Sequence, residues 1–216
     1  MKLVVALACC FISINGFSQS LRLSGIALIH SSENISGIYN NGSSYTGTIK
    51  AGLQWGGGVE YLLDKKYGIE FSFQQQKTTL PLSYKIPYET GVENHDLNLG
   101  WMMLKCNRYF GQKTNKLQGF AGIGAGIVMV KSGRWGATTG VSYFGMQANA
   151  GIIYWLIKPI GIKLSGQYQL SPKGTGDVFM ISYLPTSEGL KSSSSISQFG
   201  LGLGIVIVLD GLANSN

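Results

Sequence analysis

Apolar and polar residues alternate with period two along most of this chain. Over residues 49–64 one set reads Ile49, Ala51, Leu53, Trp55, Gly57, Val59, Tyr61 and Leu63. The other reads Lys50, Gly52, Gln54, Gly56, Gly58, Glu60, Leu62 and Asp64. A strand sends alternate side chains to opposite faces, and a helix cannot sort these residues that way. The same split predicts strands near 20–30, 49–63, 67–78, 95–109, 118–131, 142–157, 160–170 and 196–209. In the fourth, the phase slips after Met103, which predicts a bulge and leaves the direction of Lys105 open. Connections are short at 64–66, 111–116 and 158–159, and longer at 31–48, 79–94, 132–141 and 171–195. All five prolines are assigned to connections, because proline cannot donate to a strand ladder. The pattern predicts an all-β, closed, antiparallel up-and-down barrel of about eight strands, with no second domain.

Alternation alone does not say which face points outward, but volume does. The apolar face is assigned Trp55, Phe71, Phe73 and Trp101, whereas the interior of an eight-stranded barrel is just wide enough for ordinary side chains. The other face is rich in Gly, Ser, Gln and Asn, which suits a narrow lumen. The large apolar face is therefore expected to meet lipid, where a closed barrel satisfies every backbone group. Aromatics form two bands: Tyr61, Tyr67, Tyr109, Phe110 and Tyr154 near the short turns, and Phe73, Tyr143, Phe144, Tyr168 and Phe199 toward the long loops. Interfacial girdles have this arrangement.

Composition agrees. Only 12% of residues are charged while 44% are hydrophobic, against about 25% charged in soluble domains. Residues 1–18 open with Met1-Lys2, continue through an apolar run and end on Gly16, Phe17 and Ser18, the form of a cleaved secretory signal. The barrel is assigned to 19–210 and a short periplasmic tail to 211–216. Removal of the signal takes Cys9 and Cys10, leaves Cys106 as the one thiol and lowers the formal charge from +7 to +6 by loss of Lys2. No Lys/Arg run marks a nucleic-acid partner.

The strand Gly119-Phe-Ala-Gly-Ile-Gly-Ala-Gly126, the terminal strand Gly204-Ile-Val-Ile-Val-Leu209 and the pattern of the whole mature chain resemble the small outer-membrane β-barrel family of diderm bacteria, its OmpX/OmpW-like group. The resemblance implies short periplasmic turns, long extracellular loops and periplasmic termini. As partners it implies outer-membrane lipids including lipopolysaccharide, the barrel-insertion machinery and other outer-membrane proteins. Family members end on an aromatic residue that the insertion machinery reads, and Leu209 stands at that position here.

Parity directs Arg22, Glu60, Glu70 and Lys163 into the lumen near the short-turn end, with Glu60 and Glu70 as cross-strand neighbours. Two such carboxylates repel unless cations intervene, so a charge cluster plugging the lumen is expected. The two histidines, His30 and His95, are followed by Ser31 and Asp96. They fall on strands well apart around the ring and so do not assemble a Ser-His-Asp set. Neither has carboxylates or cysteines at metal-ligand spacing, and no cofactor is implied. The Gly122-x-Gly124-x-Gly126 and Gly200-x-Gly202-x-Gly204 runs lie inside strands, so they read as small lumen residues rather than phosphate loops. Tyr39, Tyr45, Tyr84, Tyr88, Trp135, Phe179 and Tyr183 fall in the outer connections. They form either a recognition surface or a mutually packed cap, and 178–184 reads as a further hairpin. The functional expectation is a non-enzymatic barrel with a filled lumen, acting in envelope integrity, surface recognition or as a subunit of an outer-membrane assembly. A narrow channel or carrier for small hydrophobic molecules is the alternative, with a lipid-modifying enzyme behind it.

Overall fold

The computed structural model describes residues 20–38, 44–63, 66–86, 89–111, 116–134, 137–157, 159–172 and 195–210. The expected signal, the tail after 210 and the expected hairpin at 178–184 lie outside the described residues.

Among the described residues ten strands form: β1 (Ser20–His30), β2 (Glu33–Ile38), β3 (Ser44–Ile49), β4 (Gly52–Leu62), β5 (Tyr67–Ile86), β6 (Glu89–Phe110), β7 (Leu117–Arg134), β8 (Ala137–Ile157), β9 (Ile160–Ser171) and β10 (Ile196–Asp210). The sheet runs β2-β3-β5-β4-β1-β10-β9-β8-β7-β6 and closes through β5–β6. Setting β2 and β3 aside leaves a ring of eight, in which β1 pairs antiparallel with both β4 and β10. All eight expected barrel strands are present. Closure leaves the ring without an open edge, the condition for standing in lipid.

The longer connections at 31–48 and 79–94 differ from their expectation as loops. β5 and β6 continue as one ladder to Ile86↔Glu89, and the first connection folds into the β2–β3 hairpin, whose second strand joins β5 through Ser44↔Lys85 to Gly47↔Leu82. Ile35, Tyr45, Ile49, Leu80, Leu82 and Tyr84 supply the reason, since they place a buried apolar face on this extension. Pro81 therefore lies inside a strand rather than a connection. β5 leaves β4 at Gln76 and meets β3 at Leu82, so Pro81 occupies the gap between ladder partners, where its missing N–H costs nothing.

No bulge follows Met103. The β5–β6 and β6–β7 registers run unbroken through it, and odd residues from His95 to Tyr109 all point inward. Trp101, assigned above to the lipid side, is fully buried in the lumen, and Tyr109 and Tyr143 likewise turn in from the aromatic bands. The other face remains strongly apolar: Trp55, Phe71, Phe73, Leu104, Ile123, Phe144, Tyr154, Leu203 and Ile205 are all exposed. Among the described residues the register shifts between Trp155 and Ile157, opposite β9.

Candidate functional site

The lumen is built in layers. At the short-turn end Leu62, Tyr109, Phe120, Ile153 and Val206 form an apolar floor. Above it β1, β4, β5 and β6 bring Arg22, Glu60, Glu70 and Lys105 side by side through the registers Arg22↔Glu60, Glu60↔Glu70 and Glu70↔Lys105. Lys105 Nζ lies 2.9 Å from Glu70 Oε1, and Arg22 Nη1 lies 3.9 Å from Glu60 Oε2. Asn107 Nδ2 donates to both carboxylates, at 2.8 Å to Glu60 Oε1 and 2.8 Å to Glu70 Oε2, and the Tyr109 hydroxyl donates to Glu60. The Arg22 guanidinium also stacks 4.4 Å from the Tyr109 ring centre and donates to Gln118 Oε1 at 3.4 Å. Lys163 sits 4.5 Å over the Phe120 ring. It has no carboxylate within ion-pair distance among the described residues.

The predicted four therefore share one buried site, and Lys105, Asn107, Tyr109 and Gln118 complete it. Lys105 and Asn107 share the inward parity of Leu97, Leu99, Trp101 and Met103, an apolar set that the sequence pattern assigns to lipid, so alternation does not mark them as lumen residues. The glycines of β7 are part of the same construction. Gly122 and Gly124 stand opposite Asn107 and Lys105. A Cβ at Gly124 would meet Lys105 Cγ at 2.5 Å and Leu104 O at 2.6 Å. The glycine run is the space the network occupies.

Next comes a layer of amides. Gln167 Nε2 donates to Gln54 Oε1 at 3.0 Å and approaches His30 Nε2 at 3.3 Å, and Gln147 Nε2 donates to Gln167 Oε1 at 2.9 Å. His30 is buried in this layer while Ser31 is exposed, and His95 points inward while Asp96 is exposed. Neither histidine thus turns toward the residue that follows it. His95 Nε2 lies 3.7 Å from Glu93 Oε2. Between the charged and amide layers lies a cavity of about 10 Å³, bordered by Ser72, Glu70, Lys105, Lys163 and Ser165, a space no larger than a single water molecule needs. The outer part of the lumen gains an apolar side, where Leu97, Leu99, Trp101, Met103, Val128 and Val130 pack beside the buried Gln76 and Gln198.

Of the candidate recognition aromatics, Tyr45 and Tyr84 are register partners on the buried inner face of the extension rather than exposed groups. Tyr39, Tyr88, Trp135, Phe179 and Tyr183 lie outside the described residues. The outer face of the extension carries Asn34, Ser36, Thr46, Thr48, Pro81 and Ser83 around a shallow groove of about 460 Å³.

A closed eight-stranded antiparallel ring recurs among solved structures. This chain is similar to the Neisserial surface protein A, at 11% identity over 88% of this chain and 97% of that one, with a TM-score of 0.55. It is also similar to the outer membrane protein OprG from Pseudomonas aeruginosa, at 12% identity over 88% of this chain and 96% of that one, with a TM-score of 0.53. The fold is that of the small outer-membrane β-barrels. The exposed apolar wall is what a closed barrel of this kind needs in a lipid surrounding. No protein-family model and no curated protein sequence matches the chain.

Proposed function

We propose that this chain is a non-enzymatic, non-conducting outer-membrane barrel whose working surface is its extracellular strand extension. One observation carries the reading: the lumen is filled at four successive levels, while β5 and β6 run on past the apolar wall and gather the β2–β3 hairpin into a projecting sheet. Extending strands beyond the bilayer and burying Ile35, Tyr45 and Tyr84 between them makes a rigid platform, and rigid elements present recognition groups with fixed spacing. Its polar outer face suits recognition at the cell surface or contact with a neighbouring envelope component. The test is conductance in planar bilayers together with removal of the β2–β3 hairpin. The refolded barrel gives no stable current steps, and hairpin removal spares barrel folding while abolishing surface attachment. Stable steps from the intact protein would refute the reading.

A second reading, passage of small hydrophobic molecules, draws support from the outer lumen. That region carries Leu97, Leu99, Trp101 and Val128 beside the buried Gln76 and Gln198. It requires those side chains to part, and below them the Glu60–Glu70 layer opposes any apolar passenger. Uptake of a small alkane into vesicles, raised by the protein and lost in Leu99→Asn, would favour it.

A further inference from the structure

We propose that the outer face of the extension built from β2, β3 and β5 seats a stretch of neutral polysaccharide, held by Asn34, Ser36, Thr46, Thr48 and Ser83. The inference rests on the reading of the extension as the working surface and deepens it by naming the class of ligand.

These side chains form an ordered array. Ser36, Thr46 and Ser83 are register neighbours on three strands, and Val92 continues the row on β6. Neighbouring strands lie ~4.8 Å apart, so the row is roughly 14 Å long. All four are exposed, Val92 at 72%. Asn34 and Thr48 make a second pair, two positions along β2 and β3. Thr48 Oγ1 donates to Asn34 Oδ1 at 2.7 Å, which orients that amide and leaves both its N–H groups for a ligand. The β3–β5 ladder stops at Gly47↔Leu82, next to Pro81, and a bond from Lys50 N–H to Thr79 O at 3.0 Å resumes it. The shallow groove of about 460 Å³ lies over this interruption. So shallow a hollow on a sheet takes the side of a chain rather than an enclosed end group.

The chemistry of the face selects the ligand. A sugar ring carries hydroxyls at its rim, which both donate and accept, and C–H groups on its faces. Ser and Thr hydroxyls and the Asn amide have the same dual capacity, while exposed Val92 and half-buried Pro81 offer apolar contacts for the C–H groups. None of the residues lining the groove is charged. The flanking charges do not add up to an anion site. Lys85 is the register partner of Ser44, six residues from Lys50 along β3, so the two lysines stand ~20 Å apart. Asp96, across Thr79 from Lys50, offsets the cation at that end. A protein partner is matched less well. The backbone groups here are already used in the β2–β3 and β3–β5 ladders. The lining also lacks the Trp, Tyr and Arg that dominate protein hot spots, where Ser and Thr are under-represented.

The experiment applies refolded full-length mature protein, in a zwitterionic detergent without a sugar headgroup, to an array of neutral, uronic-acid and sulfated polysaccharides. Neutral polysaccharide is expected to retain the wild-type protein, and the sulfated polymers to retain it no better. Thr46→Val/Thr48→Val keeps the β-branched shape and removes two hydroxyls, and retention falls at least about tenfold. Lys50→Gln/Lys85→Gln leaves it unchanged. Three results would each overturn the proposal: no neutral polysaccharide retains the wild type, retention is confined to anionic polymers, or the threonine variant binds as its parent does. Heat-modifiable migration reports folding of every variant. Should the threonine variant not fold, Ser36→Ala/Ser83→Ala tests the same row with the same expected loss. Removal of the β2–β3 hairpin separates the levels. Attachment that survives the removal defeats the platform reading and the polysaccharide seat together. Hairpin-dependent attachment by a protein that no neutral polysaccharide retains defeats the seat alone and turns the search to a protein partner.

Discussion

Asn107 joins the two halves of the lumen's charged layer, because its one amide nitrogen serves Glu60 and Glu70 together. Buried charges are tolerated when paired and hydrogen-bonded. Removing one partner leaves the other uncompensated, at a cost of about 3–5 kcal/mol. Lys105→Met is accordingly expected to lower unfolding stability by about that much, read as urea-dependent loss of the heat-modifiable gel shift. Adding Glu70→Gln in the same chain should recover most of it. An additive double variant would mean that Lys105 and Glu70 do not interact. The site was half legible in the sequence. Arg22, Glu60, Glu70 and Lys163 follow from parity, although the 20–30 stretch that carries Arg22 alternates less regularly, whereas Lys105 and Asn107 stand on β6, whose inward positions include Leu97, Leu99, Trp101 and Met103. An apolar outer lumen makes both faces of one strand greasy, and alternation then loses its contrast.

Whole strands were more legible than single side chains, and the reason is periodicity. Each barrel strand repeats its pattern often enough to survive one misleading residue. β7 illustrates what pattern leaves out: Gly122 and Gly124 read as small lumen residues, but their need for smallness comes from β6 across the ladder. Gly124→Val should push Lys105 from its place and cost more than ~1–3 kcal/mol, the usual penalty of overpacking. The same substitution at Gly25, whose added Cβ would meet nothing within 4 Å, should be nearly silent. Comparing the two by urea unfolding isolates the packing effect. The β2–β3 hairpin was legible only as a connection, since its six-residue strands are too short for alternation to stand out. It is tied to β10 by Glu33, whose Oε2 accepts from Ser197 N–H at 2.6 Å. Burial pushes the Glu33 carboxyl up to about 7, partly offset by that hydrogen bond. A carboxyl raised in the folded state binds a proton the unfolded chain has lost. Its contribution therefore favours docking at low pH and diminishes as pH rises toward and past 7. Exchange of the Ser197 amide should quicken between pH 5.5 and 8.5 beyond its intrinsic base catalysis, and Glu33→Gln should remove the excess. An unchanged excess in that variant would relieve Glu33 of the role.

At the scale of the whole molecule, the question is which solvent each face meets, and the chain's own tryptophans can answer it. Trp55 stands on the outer face with 56% of its surface exposed, whereas Trp101 is at 0% inside the lumen. Both belong to strands whose neighbours are apolar, so hydrophobicity alone does not separate them. The separation comes from closure: β5–β6 pairing seals the ring, and every side chain must then commit to the lumen or to the surroundings. In a bilayer those surroundings are acyl chains, which carry no hydrogen-bond donors and accept an apolar wall without cost. In water the same wall would expose far more contiguous apolar surface than a soluble monomer shows. Variants retaining a single tryptophan, refolded into vesicles of lipids brominated along the acyl chain, distinguish these cases by fluorescence. Trp55 alone should be strongly quenched, because bromine reaches it directly. Trp101 alone should keep most of its emission, shielded by the strands around it. The opposite ranking would turn the barrel inside out, placing Trp101 against lipid and Trp55 in the core. The charged layer around Glu60 and Glu70 would then face hydrocarbon, an arrangement that buried-charge energetics forbids.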